Sequence, residues 1–178
     1  MNTDLIDIKI RAVEGGVTAA AGFKAAGIHA GFRKNPERLD YALVVPDKPC
    51  PGAGVFTTNR FCAAPVQVSR ANLGGADKGY GIIAGVSVNS GNANAATGET
   101  GLACARETCS IASQVIGCEP QQILVASTGV IGRFCRSTRL RPPFLLPTRH
   151  SPPTVRRCRS RHHDDRHALQ GVRRVLRQ

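Results

Sequence analysis

The sequence predicts an α/β fold in which helices pack on a sheet, and three segments predict it. Residues 81–88 form an apolar run typical of a buried strand, residues 99–116 have the period of an amphipathic helix, and residues 123–126 form another apolar run. Strand, helix and strand in this order favour layers of sheet and helix. The length of 178 residues is enough for one domain with a sizeable core.

The N-terminal part of the chain predicts mainly extended structure. Residues 12–28 are rich in glycine and alanine, so we predict extended pieces joined by turns. A strand is predicted at 39–45, followed by a proline- and glycine-rich loop at 46–54. Two further short strands are expected at 55–58 and 65–69, the second because its apolar and polar residues alternate.

A single long helix is predicted at 99–116. Its apolar residues recur every three or four positions, which places them on one face of the helix. Thr97 is the predicted N-cap and Gly117 the predicted C-terminal stop. The residues of the apolar face are Leu102, Ala105, Cys109, Ala112 and Ile116.

Two segments of small polar residues and glycine, 88–98 and 127–133, are predicted to be turns that follow buried strands. An α/β arrangement can bring both turns to one edge of the sheet. The Thr128 hydroxyl and the Gly129 N–H could then stabilise the negative oxygen that develops when an acyl carbonyl is attacked. Ser-Thr-Gly alone is a weak signal, since most segments of this composition are ordinary connections.

The net charge of +12 would ordinarily indicate a nucleic-acid partner. The distribution of charge argues against one for most of the chain. Residues 134–178 hold twelve arginines and two aspartates, 12 − 2 = +10, whereas residues 1–133 carry 12 − 10 = +2. An arginine-rich tail that binds RNA or an anionic surface is the alternative interpretation.

The seven cysteines form no C-x-x-C pair, so reduced structural cysteines are predicted, and no metal site is predicted. A nucleophilic Cys62 or Cys104 is a weaker alternative, because neither has a histidine nearby in sequence. His162, His163, Asp164, Asp165 and His167 look like a metal cluster, but a solvated charged tail is the better interpretation.

The chain is predicted to be cytoplasmic and to have no membrane segment. No apolar run approaches the ~20 residues that a membrane-spanning helix needs. The first residues lack the basic and then apolar pattern of a secretion signal.

Six motifs carry a resemblance to a known family. They are Gly-Gly-Val-Thr-Ala at 15–19, Gly-Phe-Lys-Ala-Ala-Gly at 22–27, Ala-Gly-Val-Phe-Thr-Thr-Asn-Arg at 53–60, Ala-Ala-Pro-Val at 63–66, Asn-Ser-Gly-Asn-Ala-Asn at 89–94 and Ser-Thr-Gly-Val-Ile-Gly at 127–132. In this order they closely resemble the N-terminal half of the ArgJ family. These are the bifunctional glutamate N-acetyltransferases, or ornithine acetyltransferases, of arginine biosynthesis. The resemblance runs from about residue 14 to residue 133.

The resemblance implies a layered α/β fold, similar to but distinct from other self-processing N-terminal-nucleophile enzymes. Such an enzyme cleaves itself into an α and a β chain, which assemble as a heterotetramer, and the threonine that begins β is the nucleophile. It transfers acetyl from N-acetylornithine to glutamate, and some members also use acetyl-CoA; no other cofactor is implied. By position, the Thr128 side chain and the Gly129 N–H would form the oxyanion hole, and residues 89–98 a structural turn nearby.

The resemblance ends after Arg133, where the composition changes to arginine, proline and histidine. Family members continue with a Leu-Pro-x-Asp-like segment, then one close to Ile-Met-Thr-Thr-Asp-Thr that includes a substrate-binding threonine, and later the nucleophile. None of these is present. Shifted reading frames of codons for residues 134–138 and 162–168 can encode the first two segments, although the two shifts differ.

We therefore expect two parts: residues 1–133, the N-terminal part of the acetyltransferase, and residues 134–178, a disordered Arg/Pro-rich tail translated out of frame. As written, the chain is expected to stop before the nucleophile, to be inactive and to fold poorly. The non-enzymatic alternative is a fragment whose only activity is nonspecific binding of anions or RNA through its tail.

Overall fold

The structure is a computed structural model that describes residue 12 and residues 14–135. A mixed α/β fold confirms the predicted fold class. The strands are β1 (Phe23–Ile28), β2 (Tyr41–Pro46), β3 (Cys50–Ala53), β4 (Tyr80–Ile83), β5 (Gly85–Asn92) and β6 (Ile123–Val130). The helices are α1 (Ala64–Asn72) and α2 (Gly98–Ile116), with short 3-10 helices at Gly16–Thr18 and Pro120–Gln122.

Four strands form the main sheet in the order β1-β2-β5-β6. The β1–β2 and β2–β5 pairs are antiparallel, whereas β5 and β6 are parallel. Helix α2 connects β5 to β6, because parallel neighbours need a crossover connection. Strands β3 and β4 form a separate antiparallel pair. The crossover brings the carboxyl ends of β5 and β6 side by side.

The core lies between the main sheet and the two helices. Strand β2 alternates buried and half-buried residues, as expected of a strand with one face on the core. On α2, Ala105, Cys109 and Ala112 are buried and Leu102 and Ile116 are partly buried, which confirms the predicted apolar face. Other core residues include Ile28, Leu43, Val45, Val68, Val115, Ile123 and Val125.

The predicted ends of α2 are correct in position. Gly117 ends the helix in the left-handed conformation, with φ of +87°, and its N–H donates to the Ser113 carbonyl at 2.7 Å. Thr97 is the N-cap residue but makes no capping bond to the helix. Its hydroxyl instead donates to Asn94 Oδ1 at 2.9 Å, so Thr97 holds the preceding turn.

The strand predicted at 65–69 is wrong, because these residues lie in α1. Pro65 occupies the first turn of this helix, where its fixed φ is favourable and its missing N–H costs nothing. A tertiary contact of Ser69 explains why this segment is helical. Its Oγ donates to the Val125 carbonyl at 2.8 Å and accepts from the Val125 N–H at 2.9 Å, so α1 covers the free edge of β6.

Three other element predictions need correction. Residues 55–58 form no strand, and the loop predicted at 46–54 contains β3. The run 81–88 is divided between β4 and β5, which belong to different sheets. The break is at Ala84, whose N–H donates to the Gln122 carbonyl at 2.8 Å. These departures arise from pairing between distant segments, which local patterns do not encode.

Within the part of the chain that the structure describes, no helix is long and apolar enough to cross a membrane. The predicted tail lies, apart from residues 134 and 135, outside the described residues. The division of the chain at residue 133 therefore stays a prediction, as does the interpretation of the His162 to His167 group.

Candidate functional site

The carboxyl ends of β5 and β6 bring the two predicted polar segments together. Asn89 is in register with Ser127, Ser90 with Thr128, and Gly91 with Gly129. The prediction that both segments meet at one edge is confirmed. The turns begin later than predicted, because the parallel pairing continues to Asn92 in β5 and to Val130 in β6.

Gly129 permits a very close approach of the two strands. Its φ is +134°, and a Cβ at this position would lie 2.6 Å from Asn92 N and against the main chain of Gly91. Only glycine adopts this conformation in this space without strain. Both Thr128 and Gly129 are exposed, so a ligand can reach this end of the strand pair.

A buried network of asparagines supports the exposed residues. Asn89 accepts a hydrogen bond from Ser127 Oγ at 2.6 Å, and its Nδ2 donates to the Asn92 carbonyl at 2.8 Å. Asn92 in turn donates through Nδ2 to the Arg133 carbonyl at 3.0 Å and accepts from the Asn94 N–H at 2.6 Å. The network fixes the segment that follows β6 against the segment that follows β5.

The connection from β5 to α2 contains two residues with left-handed backbone, Asn94 with φ of 47° and Ala96 with φ of 57°. A left-handed alanine costs roughly 1 kcal/mol or more. Main-chain bonds hold this turn, since the Ala93 N–H donates to the Val130 carbonyl at 3.0 Å and the Gly132 N–H to the Ala95 carbonyl at 2.8 Å. These bonds fix the connection between β5 and α2 against the end of β6. The structural role that the resemblance implies for residues 89–98 stays a prediction.

A basic cleft of about 460 Å³ adjoins this end of the strand pair, and the sequence prediction missed it. Its lining includes Arg33, Lys34, Arg38 and Arg133 together with the main chain of Gly129. The segment Arg-Lys-Asn-Pro-Glu-Arg at 33–38 is the sequence signal for it. Sequence alone does not place that segment beside residues 91 and 129, because the contact depends on sheet order.

The cysteine alternative gains no support from the described residues. Cys104 and Cys109 are buried, and burial raises the pKa of the Cys109 thiol from 9.0 to about 11, which disfavours the thiolate. The single histidine that the structure describes, His29, contacts the Arg38 carbonyl at 3.0 Å and Asp40 at 3.4 Å through Nδ1. These contacts hold its ring beside Arg38 and Asp40. None of the six described cysteines, which include Cys62, forms a disulfide.

Solved structures with the same fold define the class of this protein. A crystal structure of "Arginine biosynthesis bifunctional protein argJ" from Bacillus halodurans matches with a TM-score of 0.64 and 35% identity, over 72% of this chain and 64% of that chain. Ornithine acetyltransferase from Mycobacterium tuberculosis, solved in complex with ornithine, matches with a TM-score of 0.64 and 37% identity, over 71% and 65% of the two chains. The described part is thus an α/β protein with the fold of these ArgJ structures.

The sequence comparisons name the family. The family model described as the ArgJ family matches residues 24–144. "Arginine biosynthesis bifunctional protein ArgJ" of Dehalococcoides mccartyi is 46% identical over 120 residues, and that of Bifidobacterium longum is 50% identical over 119 residues. The alignments cover 67% and 66% of this chain but 28% and 29% of those relatives. The chain belongs to the ArgJ family, and it spans under a third of the length of these curated relatives.

Proposed function

We propose that the described residues are the part of an arginine-biosynthesis acetyltransferase that supplies its oxyanion hole. The observation that carries this proposal is the register of Ser90 with Thr128 and of Gly91 with Gly129 in a chain of the ArgJ family. In this register the exposed residues Thr128 and Gly129 lie next to each other at the end of the strand pair. Such preorganised donors are what a developing oxyanion needs.

In the proposed reaction, a nucleophile attacks the acetyl carbonyl of N-acetylornithine, and the carbonyl oxygen becomes negative. The Thr128 O–H and the Gly129 N–H donate hydrogen bonds to this oxygen. The tetrahedral intermediate collapses, the C–N bond breaks, and ornithine leaves after its nitrogen has taken the proton that the nucleophile gave up. The amine of glutamate then attacks the acetyl-enzyme, and the same donors stabilise the second oxyanion. The bond between the acyl carbon and the nucleophile breaks, the nucleophile regains the proton that the amine loses, and N-acetylglutamate leaves.

The attacking group of this reaction lies outside the described residues. The resemblance assigns it to a threonine in a motif that the sequence does not contain, so we expect the 178-residue chain alone to be inactive. Acetyl-CoA is a possible second acetyl donor, and no other cofactor is proposed. The intact enzyme is expected to be a heterotetramer of α and β chains, without a nucleic-acid partner.

The test is a chimera in which residues 1–133 replace the matching segment of the full-length relative from Dehalococcoides mccartyi. In this chimera Thr128→Ala should lower the turnover number on the order of a hundredfold or more. Thr128→Ser keeps the hydroxyl and should retain most of the activity. Thr108→Ala is the matched control, because Thr108 bonds only within α2, to the Cys104 carbonyl at 2.9 Å. A near-wild-type rate for Thr128→Ala would overturn the assignment.

A second candidate function rests on the charge distribution. Residues 134–178 carry +10, so the chain could bind anions or RNA without catalysis. Deletion of residues 134–178 distinguishes the two candidates. If the tail is the functional part, its deletion abolishes RNA binding by the chain. If the tail has no function of its own, RNA binding by the chain is the same with and without residues 134–178.

A further inference from the structure

The cleft beside β5 and β6 concentrates positive charge. It lies between the segment that follows β1 and the ends of the two strands, and it has a volume of about 460 Å³. Four cationic side chains line it, and none of the lining residues is acidic. The cationic residues are Arg33, Lys34, Arg38 and Arg133.

Arg33 is held in place by a neutral partner. Its Nε and Nη2 atoms donate to Ser90 Oγ, at 3.1 Å and 2.6 Å, and the residue is half-buried. Ser90 is in turn fixed because its N–H donates to the Asp40 carbonyl at 2.8 Å. The guanidinium is therefore oriented before any ligand arrives, which reduces the entropy lost on binding.

No ion pair between Asp40 and this guanidinium is present among the described residues. The side chain of Asp40 is buried and accepts from the main-chain N–H groups of Ala30 at 2.6 Å and of Arg33 at 2.7 Å. It also lies 3.4 Å from His29 Nδ1. Within the described residues, Arg33 thus bonds a hydroxyl and retains donors for an anion.

Main chain without side chains forms one wall of the cleft. A Cβ on Gly91 would lie 3.0 Å from both Arg33 Cγ and the Phe32 carbonyl oxygen, so the segment after β1 packs directly on β5. Gly129 lines the same cleft. The two glycines let the segment after β1 and the two strands pack closely, so that main chain lines the cleft beside the candidate oxyanion hole.

We propose that this cleft is a binding site for a phosphate group. A guanidinium matches the geometry of phosphate, and phosphate carries about two negative charges at neutral pH where a carboxylate carries one. Four cations without an acidic lining residue therefore favour phosphate or diphosphate over a carboxylate. The site can take either a free phosphate or the phosphate group of a larger ligand. Binding there does not require acetyl transfer.

The test is calorimetric titration of the full 178-residue chain with pyrophosphate, inorganic phosphate and acetate at constant ionic strength. Pyrophosphate should bind most tightly and acetate most weakly. Replacing both Arg33 and Arg38 by Gln should weaken pyrophosphate binding about a hundredfold, since each charged hydrogen-bond donor is worth about tenfold. Amide NMR signals of Gly91 and Gly129 should shift with pyrophosphate in the wild type and not in the variant.

The matched control is Lys48→Gln with Arg60→Gln, which removes the same charge from exposed positions that do not line the cleft. It should leave the affinity within about twofold, because salt screens the attraction of exposed charges that do not contact the ligand. The arginines of residues 134–178 are unchanged in every variant, so differences between variants report the cleft.

Replacing Arg33 also removes its hydrogen bonds to Ser90 and could unfold the chain. A second variant that keeps Arg33 therefore separates loss of binding from loss of folding. Arg38→Gln with Arg133→Gln changes two exposed residues and should weaken pyrophosphate binding by at least tenfold. Unchanged affinity in this variant, an equal loss in the control, or acetate binding as tight as pyrophosphate would overturn the proposal. Adenosine diphosphate distinguishes the sources. Equal binding of it and of pyrophosphate indicates a larger phosphate ligand, and pyrophosphate binding alone indicates a free anion.

Discussion

Ser127 donates a 2.6 Å hydrogen bond from its hydroxyl to Asn89 Oδ1, directly across the β5–β6 pair. The Asn89 amide also donates to the Asn92 carbonyl at 2.8 Å, so one buried side chain joins both polar segments. Thr128 follows Ser127, and its position depends on this bond. The residue that we place in the oxyanion hole is thus oriented by a neighbour that takes no part in the chemistry.

Asn89→Ala should lower the free energy of unfolding by about 2 kcal/mol, because it removes the hydrogen bonds to the half-buried Ser127 hydroxyl and to the buried Asn92 carbonyl. Ser127→Ala should cost about 1 kcal/mol. Since the two residues bond each other, a double-mutant cycle should give a coupling of about 1 kcal/mol in urea unfolding of the full chain. Ser110→Ala, on α2, is the control and should change stability by less than about 0.5 kcal/mol. A coupling near zero would contradict the hydrogen bond.

Gly129→Ala should be strongly destabilising. The new Cβ would lie 2.6 Å from Asn92 N at a φ of +134°, so clash and backbone strain add to about 3 kcal/mol. Gly132→Ala is matched to it, since Gly132 has a φ of +75° but nothing within 4 Å of its Cβ position. That change should cost about 1 kcal/mol. Equal losses of stability in the Gly129→Ala and Gly132→Ala variants, measured by thermal unfolding, would show that the strands do not approach closely at Gly129.

Helix α2 shows which parts of this fold a sequence can predict. Its apolar residues recur with the helical period and its stop is a glycine, so both face and end follow from local chemistry. The meeting of Asn89 with Ser127 also follows, because a strand, a helix and a parallel strand bring successive carboxyl ends together.

Helix α1 shows where sequence prediction failed. Its Pro-Val-Gln-Val-Ser segment alternates apolar and polar residues like a strand. However, Ser69 forms hydrogen bonds with the free edge of β6, 56 residues away along the chain. The sequence prediction missed the basic cleft for a similar reason. Arg33 and Ser90 bond across 57 residues, and no local pattern pairs them. Which residues meet over such distances along the chain depends on the order of strands in the sheet.

Ser69→Ala should therefore destabilise the chain by about 2 kcal/mol, because it removes both hydrogen bonds to Val125 and leaves a buried N–H unpaired. Ser113→Ala is a matched buried control. Its hydroxyl bonds only within α2, to the Ser110 carbonyl at 2.8 Å. Because this carbonyl also accepts a main-chain hydrogen bond of the helix, the loss of stability should stay below about 1 kcal/mol. Hydrogen exchange of the Val125 amide should quicken in the Ser69 variant alone. Unchanged exchange there would mean that α1 does not seal the edge of β6.

The buried thiol of Cys109 should make the fold sensitive to alkali. Burial raises its pKa from 9.0 to about 11, so the folded chain holds this proton where the unfolded chain releases it. The stabilising effect is complete below pH 9.0 and is lost as the pH rises to about 11, on the order of 2–3 kcal/mol in all. The measurement is urea unfolding at several values of pH from 8 upwards.

Cys109→Ala separates this effect from other titrations. Burial also raises the pKa of Tyr41 and of Cys118, and both remain in the variant. The variant should be less stable at pH 8, because a buried side chain is shortened, but its stability should fall less steeply above pH 9. The two stability curves should therefore converge as the pH approaches 11. Parallel curves would mean that Cys109 titrates alike in the folded and unfolded chains, and that its thiol is not enclosed between α2 and the sheet.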